Sequence, residues 1–249
     1  MNDIDTVVLS RKFEPESLLP FILCTQISAE YEVETVKAQA VIARSNLYRK
    51  IEEKDDLSFL YEELKRCADK QELIIEAFSD IYEKAVNETA GQILTANGEL
   101  KLIPFHEISA GMTRDGEIAF HDPEYAYLQS VNSSVDKNSP DYLNSTYIAL
   151  QQMPDLLKIG ERDQSGYVVS LAADENILEA EAFAKAMGIA SSNFSIQEIG
   201  DKVRFLSRGK GHGLGFSQYG ANELAKEGKT WEELLMQYFP EMEITEYVL

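Results

Sequence analysis

The residues best suited to chemistry fall in two glycine-punctuated stretches. PFHEISAGMT holds His106, Glu107 and Ser109 ahead of Gly111. RGKGHGLGFSQYGA holds His212, Ser217, Gln218 and Tyr219. His106, His121 and His212 are the only histidines in the chain. A lone histidine is more often a satisfied hydrogen-bonding residue than a ligand. A three-histidine zinc site is geometrically conceivable, but nothing in the spacing selects it. The second stretch lacks the Gly-Lys-Ser/Thr ending of a phosphate loop. Ser217 is flanked by Phe216 and Gln218, so it is not a nucleophile elbow, and a Ser217–His212 hydrolytic dyad has weak support. Gly209, Gly211, Gly213 and Gly215 alternate. In an extended chain they would leave one face bare for a ligand or another backbone.

A third group of candidates lies on a helix. In VETVKAQAVIARSNLYRKI, apolar residues at Val33, Val36, Ala40, Leu47 and Ile51 follow helical spacing. Lys37 and Arg44 are seven positions apart and stack within about 60° of the centre of that apolar sector. Cations at the edge of a buried face are unusual. Either they pair within the helix, as Glu34 with Lys37, or they line a cleft and meet a polar substrate or a buried carboxylate.

The elements that must position these residues are mixed. VVLSRKF (7–13) reads as a strand, and PESLLPFILCTQI as a helix or extended segment. Residues 52–90 are acidic and helical in pattern. GQILTANGELKLIPFHEISAG has strand character, with Asn97-Gly98 as a hairpin turn. Residues 112–140 are loop-rich. Over 141–200 short helix and strand alternate, with DYLNSTYIALQQM helical, then YVVSLAA, then ILEAEAFAKAMG. KVRFLS is a strand, and two helices close the chain. The second opens on a Thr230–Glu233 capping box and stops before Pro240. This pattern predicts an α+β fold of helices and antiparallel-type strands around a central cleft. It reads as a single domain over 1–249, with a helical insertion at 52–90 and a looser α/β subdomain at 140–200.

Composition narrows the partners. The 249 residues suffice for a sizeable core. The net charge of −20, with no basic stripe evident in the sequence, disfavours nucleic acid and anionic lipid. The apolar run LLPFILC is far shorter than the roughly 20 residues that span a bilayer. No membrane segment or signal peptide is expected, so either the protein is not exported or the chain begins after a removed leader. Cys24 and Cys67 have no metal-type spacing. A buried thiol is the default for Cys24, with a disulfide to Cys67 left open.

The three stretches, in this order, resemble the SpoIID family (stage II sporulation protein D, the SpoIID/LytB domain of lytic transglycosylase type). VETVKAQAVIAR resembles its first block and FHEISAGMTRDGE its middle block. GKGHGLGFSQYGANELAKEGKTWEELLMQYFP resembles its last block most closely. The likeness spans roughly residues 15 to 245. It implies an extracytoplasmic protein, in the cell wall or membrane-associated through a segment missing here. It also implies binding to peptidoglycan glycan strands stripped of stem peptides, with an amidase as partner in sporulation. The implied chemistry cleaves between N-acetylmuramic acid and N-acetylglucosamine and leaves a 1,6-anhydro end. It needs no cofactor and no metal. A single carboxylic acid protonates the leaving oxygen, and the sugar's own 6-hydroxyl is the nucleophile.

Carried over residue by residue, the resemblance places substrate-binding groups at Lys37, Gln39, Arg44, His106, Ser109, His212, Ser217, Gln218 and Tyr219. The family's catalytic glutamate falls on Gln26, followed by Ile27 and Ser28 rather than Met-Pro. An amide matches a carboxylic acid in shape but delivers no proton. Three readings follow. The chain binds glycan without cutting it, Glu30 or Glu107 serves as the acid instead, or Gln26 is an inactivating change. The missing Met-Pro argues against the last. A reading of another class is a non-catalytic protein-interaction module of a cell-wall or sporulation complex, using the acidic stretch 52–90.

Overall fold

The computed structural model describes residues 15–53, 65 and 80–247. The strand expected at 7–13, Cys67 and most of the acidic stretch 52–90 lie outside the described residues. The chain forms an α+β fold. Its helices are α1 (Leu19–Gln26), α2 (Val33–Glu53), α3 (Asp80–Glu88), α4 (Gly116–Phe120), α5 (Ala180–Ala186), α6 (Gln218–Lys226) and α7 (Trp231–Tyr238). Its strands are β1 (Gln92–Thr95), β2 (Phe105–His106), β3 (Leu143–Ala149), β4 (Leu157–Ile159), β5 (Ser170–Ala173), β6 (Asn176–Glu179), β7 (Phe194–Ile199), β8 (Lys202–Arg208), β9 (Phe216–Ser217) and β10 (Glu243–Glu246). They make four small sheets, ordered β1–β10, β2–β9, β3–β8–β7 and β4–β5–β6, antiparallel except for the two-residue β2–β9 pair.

The long helix α2 organises the molecule. One side packs Val36, Ala40 and Leu47 against α1 and α3, and the other packs Ala38, Val41 and Ile42 against β1, β9 and α7. A helix sandwiched between two cores is apolar on more than one face. Even its polar Gln39, Arg44 and Ser45 are buried. The Thr230–Glu233 capping box forms as the sequence predicts, and α7 ends at Tyr238, ahead of Pro240. A third core, with Phe183, Phe194 and Phe205, lies between α5 and the two three-stranded sheets.

Three expectations are corrected. DYLNSTYIALQQM is β3 followed by a short 3-10 turn, not a helix. Its residues alternate between exposed and half-buried, and pairing with β8 along the full strand outweighs its few helix-forming residues. Asn97 and Gly98 do make a tight turn with positive φ, but it joins only the bridge Ala96–Glu99. β1 pairs instead with β10, near the other end of the chain. Finally, Gly209–Gly215 is not an extended stretch, because all four glycines have positive φ. Other backbone does approach there. A Cβ on Gly209 would sit 2.6 Å from the Ile108 carbonyl oxygen, and one on Gly215 would sit 2.2 Å from that of Pro104.

Candidate functional site

Two adjoining cavities of about 420 and 460 Å³ share Gln26, Phe105 and His212. Together they form a cleft between the end of α1, the segment through β2 and the glycine-rich segment before β9. Gln26 closes α1. The chain leaves the helix at Ile27, whose extended backbone donates to Leu23, and this aims the Gln26 side chain at α2 and the cleft.

A relay of three amides fixes that side chain. Gln218 Nε2 donates to the main-chain carbonyl of Gln26 at 2.8 Å. A carbonyl only accepts, so this contact sets the orientation of the Gln218 amide. The same Nε2 lies 3.2 Å from Gln39 Oε1, which turns Gln39 Nε2 toward Gln26 Oε1 at 2.9 Å. The Gln26 oxygen is thereby occupied. Its NH₂ is left as the group presented to the cavities that Gln26 lines.

Two histidines face each other beside it, with ring centroids 5.7 Å apart and planes at 60°. His106 Nδ1 lies 3.0 Å from the Leu214 carbonyl, so Nδ1 carries the proton of the neutral ring. Its Nε2 is then a buried acceptor with no partner among the described residues. Burial, helped by His212, pulls the His106 pKa down to about 3. His212 Nδ1 accepts from the Leu214 amide at 3.0 Å. Burial lowers the pKa of His212, with Arg114 adding to the fall and Glu181 opposing it.

Two carboxylates border the cleft. Glu107 lines the second cavity and pairs with Lys210 at 2.5 Å. Glu181 lines the first, as Gln26 does, and is held by Arg114 at 3.1 Å. Arg114 is itself braced at 2.7 Å by Asp163, whose side chain is 5% exposed, and lies over the Tyr167 ring. Neither Arg114 nor Glu181 stands out in the sequence. Arg114 lies only eight positions beyond His106, which is the one signal that would have drawn it in.

Residues 5–95 match the family described as SpoIID, Stage II sporulation protein. The chain is 28% identical to Stage II sporulation protein D of Bacillus subtilis (strain 168), over 90% of this chain and 72% of that protein. It is 26% identical to Stage II sporulation protein D of Bacillus amyloliquefaciens over the same shares. It is 23% identical to an uncharacterized protein of Brachyspira hyodysenteriae, over 98% of this chain and 70% of that one. The chain is thus similar to the SpoIID family over residues 5–95 and to two proteins named Stage II sporulation protein D over 90% of its length.

The residues that the SpoIID resemblance singles out divide into four groups. Gln26, His106, Glu107, His212 and Gln218 line the cleft, and Gln39 lies directly behind Gln26. Tyr219 is half-buried on the first turn of α6, its amide bonded to the Glu107 carbonyl at 2.9 Å. Ser109 and Ser217 are fully buried and turned away, onto Asp136. Both Ser217 Oγ, at 2.8 Å, and the Ser109 amide, at 2.9 Å, donate to Asp136 Oδ2. Burial raises the Asp136 pKa, and these hydrogen bonds oppose the rise. Because Ser217 is committed to Asp136 and His212 to Leu214, the two form no nucleophilic dyad.

Lys37 and Arg44 are not brought to the cleft. Lys37 pairs with Glu34 at 2.7 Å and Glu88 at 2.6 Å. Arg44 is buried against Glu16 at 2.9 Å and the Val86 carbonyl at 3.0 Å. The cations that α2 does carry to the cavity wall are Arg49 and Lys50. Glu30 is exposed and borders neither cavity. His121 is exposed at the end of α4. Among the described residues no group of three or more His, Cys, Asp or Glu is placed to hold a metal, and no helix is long and apolar enough to cross a membrane.

Proposed function

We propose that the chain binds peptidoglycan glycan strands in this cleft. Gln26 then grips the glycosidic oxygen by hydrogen bonding, where the SpoIID resemblance implies an acid that would protonate it. The carrying observation is the direction of the amide relay. With the Gln26 oxygen held by Gln39, the side chain offers the cleft a permanent N–H donor. A protonated carboxylic acid held by the same Gln39 would offer an O–H in the same place. The shape of an acid site is retained without its transferable proton. In the implied reaction the acid gives its proton to the leaving oxygen as the glycosidic bond breaks. The sugar 6-hydroxyl attacks C1, and the acid recovers a proton from that hydroxyl. An amide stops this sequence at its first step. The reading carries with it an extracytoplasmic location in cell-wall remodelling or sporulation, and an amidase that removes stem peptides beforehand.

The test is incubation with purified denuded strands, followed by mass spectrometry for 1,6-anhydro products and by pull-down. The wild-type chain is expected to bind strands without cutting them. Gln26→Glu should raise anhydro-product formation by about 10²–10⁴-fold. Products from the wild type that disappear in Glu107→Gln or Glu181→Gln would overturn the non-cutting reading. Absence of strand binding, with a stable protein partner recovered, would replace it with the interaction-module reading.

A further inference from the structure

The outer face of the β3–β8–β7 sheet carries three cations close together. The register places Leu143 opposite Arg208, Ser145 opposite Leu206, Tyr147 opposite Arg204 and Ala149 opposite Lys202, all on one face. The opposite face turns Val203 and Phe205 into the third core. Cations are the scarce species here, 23 Lys and Arg against 43 Asp and Glu. Among the described residues most cations elsewhere are paired, as in Lys37, Arg44, Arg49, Arg114 and Lys210. Lys202, Arg204 and Arg208 lie within seven residues on one face. Among the described residues none of them forms a salt bridge.

The arrangement is also ordered. Arg204 Nε and Nη2 donate to Ser145 Oγ at 3.0 and 2.9 Å, and Nη1 reaches Gln197 Oε1 at 3.3 Å. Neutral partners on both neighbouring strands hold the guanidinium over the sheet with charge uncompensated and two N–H donors unused. Tyr147, 53% exposed, stands directly opposite it. A guanidinium beside an open aromatic ring suits a sugar that carries a carboxylate, with the ring against the pyranose face and the fork on the acid. This face leads into the cleft along the chain. From Arg208 the backbone passes through Gly209, Lys210 and Gly211 to His212, which lines both cavities. Four residues reach at most about 14 Å.

We propose that this sheet face is a second binding surface for the same strand, recognising the lactyl carboxylates of its muramic residues. The proposal rests on the cleft reading above. A muramic residue stripped of its stem peptide exposes a free carboxylate. A peptide-substituted one has that group tied up as an amide. Such a surface favours denuded strands because only they carry the carboxylate directly on the sugar that lies against the ring.

The experiment compares wild type and the double variant Arg204→Gln/Arg208→Gln by fluorescence anisotropy at low salt. The three labelled ligands are denuded strands, the same strands with lactyl carboxylates converted to methylamides, and chitin oligosaccharides, which lack them. Wild type should prefer denuded strands over amidated ones by about three- to tenfold, the range expected of two exposed ion pairs. The double variant, with an unchanged melting temperature, should lose that preference and bind both as wild type binds the amidated strand. Equal wild-type affinity for denuded and amidated strands, or an undiminished preference in the double variant, overturns this inference alone. Failure to bind any of the three overturns the cleft reading with it.

Discussion

Two buried polar networks meet at consecutive residues. Gln218 joins the neutral relay to Gln39 and Gln26, and Ser217 joins the knot around Asp136. Both hold the first turn of α6, yet they differ in what they leave over. The relay is made of amides, runs in one direction and ends with a free donor at the cleft. The knot encloses a carboxylate, spends the Ser109 amide and Ser217 hydroxyl on it, and adds the Ser133–Tyr238 bond at 2.8 Å behind it. It is closely packed. A Cβ on Gly220 would meet Tyr238, Ser133 and Asp136 all within 2.8 Å. A network that serves a ligand keeps one hydrogen-bonding group unspent, whereas a network that serves the fold keeps none. Ser109 and Ser217, chemically apt for substrate, are on the wrong side of that division to touch it.

The sharpest way to break the comparison is Asp136→Ala. The change leaves the Ser217 hydroxyl and the Ser109 amide buried without an acceptor. Each such group costs about 1–3 kcal/mol. A loss of about 3 kcal/mol or more in denaturant unfolding is expected. A loss under 1 kcal/mol would mean that the knot is not what holds α6 in place.

His106 lies on the seam between the two networks, lining the cleft with Gln218 and registered against Ser217. Its pKa near 3 in the folded protein stands against an ordinary value of 6.5. The unfolded chain therefore takes up a proton between those values while the folded one does not. Stability from this group is full above pH 6.5 and falls by about 1.4 kcal/mol per unit as pH drops toward 3. Between pH 6.5 and 5 that amounts to about 2 kcal/mol. His106→Asn should flatten this slope by that amount in urea titrations at the two pH values. An unchanged slope would show that the seam is open to water.

The sequence made some of this visible and hid the rest for physical reasons. Hydrophobic period and capping residues marked α2 and α7 because those signals are local. Close backbone approach at Gly209–Gly215 was legible because glycines mark such places, but its partner, the His106 stretch, was not. Asp136 was not, since an acid in DKNSP looks like any solvated loop carboxylate until β9 and Ser109 close over it. Nor was the β1–β10 pairing, which joins segments some 150 positions apart with no local cue. The Glu34–Lys37 pair is the one the helical spacing offered, whereas the alternative that put Lys37 and Arg44 on a cleft failed for a specific reason. Helical geometry gives the angle of a side chain but not what faces it, and α2 has a core on two sides. The charged face of β8 was missed because its cations alternate with core residues along the strand and never form a run.

The smallest predicted effect is the most discriminating for the relay. Gln39→Leu fits a buried site of similar size, but it removes both the donor to Gln26 Oε1 and the acceptor for Gln218. Gln218 keeps its bond to the Gln26 carbonyl, so α6 stays anchored. The stability cost should be about 1 kcal/mol, well below that of Asp136→Ala. The Gln26 amide, however, loses the partner that aims it. Strand affinity should fall about threefold or more, read by the same anisotropy assay, while Gln26→Leu should add little to that fall. If Gln39→Leu instead costs as much stability as Asp136→Ala and leaves strand affinity unchanged, the relay belongs to the fold and not to the ligand. Position 26 would then be only the end of a helix.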